Sequence, residues 1–97
     1  MLTLQETKHF LRVDTDEDDN LISSLILTGE SLIEEIIRKP LSTYKQVPEP
    51  IKQATLIVVG TLYEERQITG NPKEGLAMDQ VLDIIKKMLF AYREVKF

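Results

Sequence analysis

The chain has 97 residues, 42% of them hydrophobic, which is enough for one domain around one core and too few for an active site enclosed between layers. It contains no cysteine, which excludes disulfides, thiolate metal sites and cysteine nucleophiles. The formal net charge is -4, with nine acids against two bases in residues 1–35 and seven acids against ten bases in residues 36–97; this balance argues against tight nucleic-acid binding, which needs clustered Lys and Arg, and favours a self-complementary partner.

The first predicted element is a short helix over residues 4–12. Thr3 and Glu6 have the spacing of a capping box. His9 projects away from the apolar side and is expected in solvent, and as the only histidine it has no second histidine for a catalytic dyad. The apolar side consists of Leu4, Thr7, Phe10 and Leu11.

An unusually acidic stretch, DTDEDD, follows this helix from position 14. It begins like an EF-hand loop, but the sixth position is Asp19 instead of Gly and the twelfth is Leu25 instead of Glu, so it does not fit a calcium site. The cluster instead predicts a helix start with Thr15 or Asp16 as N-cap, because acids in a first turn face the positive end of the helix dipole. The surplus charge also predicts a patch that meets basic groups on a partner, formed by Asp16, Glu17, Asp18 and Asp19.

A long amphipathic helix is predicted over residues 16–38, with isoleucines and leucines on one half and serines and glutamates on the other. Gly29 lies in the middle of the apolar half, where the absence of a side chain would let another helix approach closely. Leu27 is the one large apolar residue on the polar half. It is therefore a candidate interface residue.

The segment from Pro50 to Arg66 is rich in β-branched residues and apolar almost all round, so periodicity does not separate a buried helix from a buried strand. Its length and the proline at its start favour a helix. The sequence thus predicts a buried central helix at about 50–66, with Gly60 as a second close-approach site and Arg66 emerging into water.

The longest uncharged run, residues 53–63, is about half of what a bilayer crossing needs, so no membrane segment is expected.

A loop rich in Gly and Pro leads into a last amphipathic helix. Phe90 lies among its charged outer residues, which makes burial in an interface a reasonable expectation. The tail, residues 93–97, ends in Phe97, and two alternatives stay open for it: it frays, or it docks on a neighbour as an extended arm by strand addition. The apolar stripe of the helix consists of Val81, Leu82, Ile84, Ile85, Met88, Leu89 and Tyr92.

The pattern as a whole predicts an all-α fold, a small bundle of about four helices in a single domain, 1–97. We find no Gly-rich phosphate loop, no His-x-x-x-His metal pair and no paired carboxylates in an apolar setting. No face is rich in the Arg, Lys, Asn and Gln that helix-turn-helix proteins present to DNA. We therefore predict a protein that is not an enzyme and needs no cofactor or metal.

Three segments of the sequence form a recognisable combination: LQETKHFLRVDTDEDDNLISSLI, PEPIKQATLIVVGTLYEER and FAYR. Together they resemble the head-tail connector family of tailed bacteriophages and prophages, also described as DNA-packaging adaptors, and the resemblance covers nearly the whole chain. The matching positions are Leu11, Arg12, Asp14, Asp16, Asp18, Leu21, Ile22, Ile51, Lys52, Ala54, Leu62, Tyr63, Glu64, Arg66, Tyr92 and Arg93. Two features depart from the family pattern: Ala91 replaces a common proline, and the loop over residues 68–76 is distinct.

The resemblance implies a structural subunit of the virion, assembled in the cytoplasm of the bacterial host. Its copies would form a ring under the portal protein, extend the channel for double-stranded DNA without sequence-specific binding, and offer a landing surface to the tail or a head-completion protein. Leu27 and Phe90 would then be buried between subunits, and Arg93 with the last residues would reach the portal. Arg66 and Tyr92 are further candidate contacts with another subunit or a partner. The alternative is a small helical interaction or regulatory module that acts as a dimer.

Overall fold

Within the residues that the computed structural model describes, 2–67 and 74–93, the chain forms four α-helices and no strand. Of residues 65–67 and 74–77 only the backbone is described. The helices are α1 (Leu4–Leu11), α2 (Asp19–Ile37), α3 (Glu49–Gln67) and α4 (Glu74–Met88), and short 3-10 turns follow α2 (Leu41–Thr43) and α4 (Phe90–Tyr92). The predicted all-α fold is confirmed.

The helix α3 is the central element, since it packs against α1, α2 and α4. Its start at Glu49 and Pro50 resolves the ambiguity between helix and strand, because proline suits the first turn of a helix, where a free N–H is not needed. One part of the expectation needs correction: α3 is not buried all round, because Ile57 is 36% exposed.

The core has two parts that meet where α2 crosses α3. One part lies at the carboxyl half of α2 and joins α3 and α4; its buried residues are Ile33, Ile37, Leu41, Ile51, Ala54, Val58, Ile85 and Leu89. The other lies at the amino half of α2 beside α1; its buried residues are Leu2, Ile22, Leu25, Ile26, Leu56 and Val59. Full burial of one such side chain stabilises the fold by about 1.5–3 kcal/mol.

Gly29 lies between these two parts of the core, at a point where α2 comes close to Thr55, Val58 and Val59 of α3. A Cβ atom at this position would lie 2.7 Å from Cγ2 of Val59, a distance that real side chains do not tolerate, and 3.8 Å from the carbonyl oxygen of Thr55. The predicted crossing point is therefore confirmed.

Gly60 is the second predicted close-approach site, and its neighbour is α1. A Cβ atom here would lie 3.3 Å from Cε2 of Phe10 and 3.6 Å from Cδ2 of Leu11. Phe10 was expected on the apolar side of α1, but its ring is 44% exposed and so has room to move.

For Gly60→Ala we expect a small gain in stability, about 0.5–1 kcal/mol, because alanine is the better helix residue and the ring of Phe10 is free to shift. Thermal unfolding followed by circular dichroism measures this. A clear loss of stability would mean that the ring of Phe10 is held in place.

The apolar stripe of α4 is only half covered. Ile85 and Leu89 are fully buried, as expected, whereas Ile84 is 58% exposed and Met88 is 40% exposed. The reason is that α4 packs mainly against α3, so the core takes one narrow row of its side chains. The carboxyl end of α4 therefore presents apolar surface to solvent.

Candidate interaction site

The helix α1 is fixed to the bundle by its first turn. Thr3 and Glu6 form the predicted capping box, with the Glu6 N–H donating to Thr3 Oγ1 at 3.1 Å and the Thr3 N–H donating to Glu6 Oε2 at 2.7 Å. The other carboxylate oxygen of Glu6 lies 2.6 Å from Nζ of Lys52 on α3. The contact with Lys52, followed by the Thr3 N–H, lowers the pKa of Glu6 below its ordinary value.

We expect this lowered pKa to make part of the stability depend on acid pH. A carboxyl group with a lower pKa in the folded state stabilises the fold above its unfolded pKa and loses that contribution as the pH falls through the folded value. The melting temperature of Glu6→Gln should therefore fall less steeply than that of the wild type below about pH 4.5. Parallel curves for the two proteins, measured by thermal unfolding at stepwise pH, would contradict this.

A tight connection, residues 12–18, joins α1 to α2, and we call it the acidic turn. It leaves α1 through Arg12, whose backbone is left-handed (φ 61°, ψ 42°). The prediction of its other end was wrong, since α2 begins at Asp19 with Asp18 as N-cap, and not with Thr15 or Asp16. Asp18 makes no side-chain capping bond, because its carboxylate is engaged elsewhere.

The carboxylates of Asp16 and Asp19 converge on Lys8, whose side chain is only 7% exposed. Lys8 Nζ lies 2.8 Å from Oδ1 of Asp19 and 3.1 Å from Oδ1 of Asp16. The two carboxylates, that of Asp19 first, raise the pKa of Lys8. A lysine whose pKa is raised in the folded state stabilises the fold fully below its unfolded pKa and loses that contribution as the pH rises through the folded pKa. The contact therefore holds α1 to α2 at neutral pH.

Asp18 is occupied by a third contact. The hydroxyl of Tyr63, on α3, donates to Oδ2 of Asp18 at 2.6 Å. The acidic turn is thus attached to α1 and to α3, and three of the four acids of the predicted patch have partners inside the chain. Among the described residues, no three His, Asp or Glu side chains are arranged to hold a metal ion.

Asp14 and Glu17 are the acids of the turn that remain free. Both are exposed, and neither has an ion-pair or hydrogen-bond partner in the described part of the chain. Asp16 also remains accessible, because its side chain is 92% exposed although it contacts Lys8. The turn therefore presents exposed carboxylates that are available for electrostatic contact.

Comparison with known families decides what kind of protein carries this turn. The model of the phage gp6-like head-tail connector proteins matches residues 1–93. The chain belongs to this family. It is accordingly a structural phage head-tail connector, not an enzyme, and it interacts with head or tail components of the virion. Neither a curated protein nor a solved structure gave a match.

The other predicted contact residues of the connector lie apart from the acidic turn. Leu27 on α2 is 67% exposed and Phe90, just after α4, is 73% exposed. Tyr92 is half-buried against the core, and Arg93 is exposed. The side chain of Arg66 and the whole of Phe97 lie outside the described residues. In the part that the structure describes, no helix of the connector is long and apolar enough to span a membrane.

Sequence reasoning missed Lys8, the residue that organises the connector's acidic turn. Lys8 is eight residues from Asp16 and lies on a different helix from Asp19. No helical spacing links these positions, so only the fold brings them together. The clue available was that Lys8 is one of only two bases in residues 1–35.

Proposed function

We propose that the chain is a single helical connector domain whose copies assemble head to tail into a ring below the portal protein. The observation that carries the proposal is the placement of unpaired charge. Asp14 and Glu17 lie before the amino end of α2, whereas Arg38 follows its carboxyl end. Two different surfaces that attract each other form a heterologous contact, and such contacts close into rings when the rotation between copies allows it.

Exposed apolar residues supply the second part of the proposed contact. Leu27 and Phe90 are the two most exposed large apolar side chains among the described residues. Burying both between subunits would remove them from water, which is a favourable change. The last residues, to Phe97, would contact the portal, and a tail or head-completion protein would bind the opposite rim.

The net charge of -4 suits a ring around a DNA channel. Binding of DNA depends on cations that displace counterions from phosphates, whereas acidic side chains repel phosphates. Double-stranded DNA would therefore pass through the ring without sequence-specific binding.

Native mass spectrometry of the purified chain, alone and with portal rings of the same phage, tests the proposal. We expect particles on the portal to carry a fixed number of copies larger than two. The portal is included because a ring subunit that needs a template stays monomeric without one. A dimer that never grows, with or without the portal, would overturn the ring and favour a dimeric interaction module.

A further inference from the structure

A groove lined by three cations lies between the carboxyl ends of α2 and α4. Its volume is about 440 Å³. Arg38, Lys86 and Arg93 line it, with Glu35 as the only acid, and half-buried apolar side chains such as Ile36 and Leu82 form its floor. We call it the basic groove.

The three cations of the basic groove are available to a ligand. All are exposed, and none has an ion-pair partner within the described residues, Glu35 included. The carboxyl ends of α2 and α4 carry partial negative charge, about -0.5 each, which helps to hold cations there. The three positive charges exceed the sum of the Glu35 carboxylate and the partial negative charges of the two helix ends, so the groove has a net positive charge.

From this charge pattern we infer that the basic groove receives the acidic turn of a second copy of the chain. The turn offers Asp14 and Glu17, which lack partners, and the exposed Asp16. Lys8 and Tyr63 also hold the base of the turn through Asp19 and Asp18, which reduces the conformational freedom that docking would remove. This inference rests on the proposed ring and names the two surfaces that join its subunits.

The contact must form between copies, not within one. The acidic turn precedes the first residue of α2, and Arg38 follows the last. Nineteen residues of helix separate them, a distance of about 28 Å. A single chain therefore leaves both surfaces open, and each copy has one surface of each kind, as a head-to-tail ring requires.

The absence of cysteine in the chain allows a direct test by disulfide cross-linking. The double variant Glu17→Cys/Lys86→Cys is assembled on portal rings and oxidised gently. We expect a ladder of covalently linked copies, because a disulfide forms only when the two Cα atoms come within about 7 Å. The span of α2 prevents the same bond within one chain.

The matched control is Glu17→Cys/Gln80→Cys, since Gln80 is exposed on α4 but does not line the groove. It should give no ladder. Two outcomes would contradict docking of the turn in the groove: ladders from both variants, or no ladder from either variant on particles that carry many copies. Neither outcome would contradict the ring itself. If wild-type particles never exceed dimers, the ring itself fails.

A charge reversal separates this contact from DNA binding by the same cations. We expect Lys86→Glu/Arg93→Glu to weaken ring assembly about tenfold or more, because like charges would then face each other. Lys87→Glu, on the neighbouring exposed lysine outside the groove, should not. If the wild type retains duplex DNA at physiological salt and the groove variant does not, the groove is a phosphate site and the inference is overturned.

Discussion

Replacing Gly29 by valine is expected to lower the melting temperature by roughly 5–20 °C, which corresponds to about 1–3 kcal/mol of overpacking in a chain of this size. The first added carbon would lie 2.7 Å from Cγ2 of Val59, which is fully buried. A β-branched side chain has little rotational freedom in a helix, so Val59 does not move aside easily. The helices α2 and α3 must separate, and both parts of the core are affected.

Two further variants make the Gly29 prediction specific. Ser31→Val adds the same side chain at an exposed position of α2 and should change stability by a few tenths of a kcal/mol. Gly29→Val/Val59→Ala adds side-chain volume on α2 and removes it from the facing position on α3, so it should recover part of the lost stability. If Gly29→Val melts at the wild-type temperature, the crossing does not depend on close contact at this residue.

Reversing the charge of the acidic turn should abolish or strongly weaken assembly on the portal. The variant is Asp14→Lys/Glu17→Lys, whose side chains have no partner within the described chain. We expect a loss of about tenfold or more in ring assembly, since both charges would repel the basic groove. The melting temperature should stay nearly constant, because exposed substitutions of this kind usually change stability by less than about 0.5 kcal/mol.

The control for the charge reversal is Glu64→Lys/Asp79→Lys, which makes the same change of charge at exposed acids elsewhere. It should assemble like the wild type. A second comparison, Asp16→Lys/Asp19→Lys, should unfold more readily, because Lys8 would lose both carboxylates. Unimpaired assembly of Asp14→Lys/Glu17→Lys on the portal would contradict an electrostatic role for the turn.

The sequence alone did not show which acids of the turn have partners inside the chain and which are free. Asp16, Glu17, Asp18 and Asp19 form one run of charge, and the pattern suggests one patch. In the structure Asp18 and Asp19 turn inward to Tyr63 and Lys8, while Glu17 points to solvent. The side of a short turn to which a side chain points depends on the packing of the helices around it, not on its order in the chain.

The basic groove shows the same limit. Arg38 ends α2, whereas Lys86 and Arg93 belong to the last elements of the chain. Their charges are visible in the sequence as a mildly basic second half. That they line one concave surface follows only from the way α2 and α4 both pack against α3.

What the sequence determined by itself is local or periodic. The capping box at Thr3, the amphipathic period of α2 and the proline before α3 act through neighbouring residues, so they predict the helices. Gly29 and Gly60 marked close approaches, because a glycine inside a helix is costly unless its small size is used. The tertiary structure alone decided which acids remain free, which row of α4 reaches solvent and which cations share a groove. These outcomes depend on contacts between residues far apart in the chain, and no spacing along the sequence encodes those contacts.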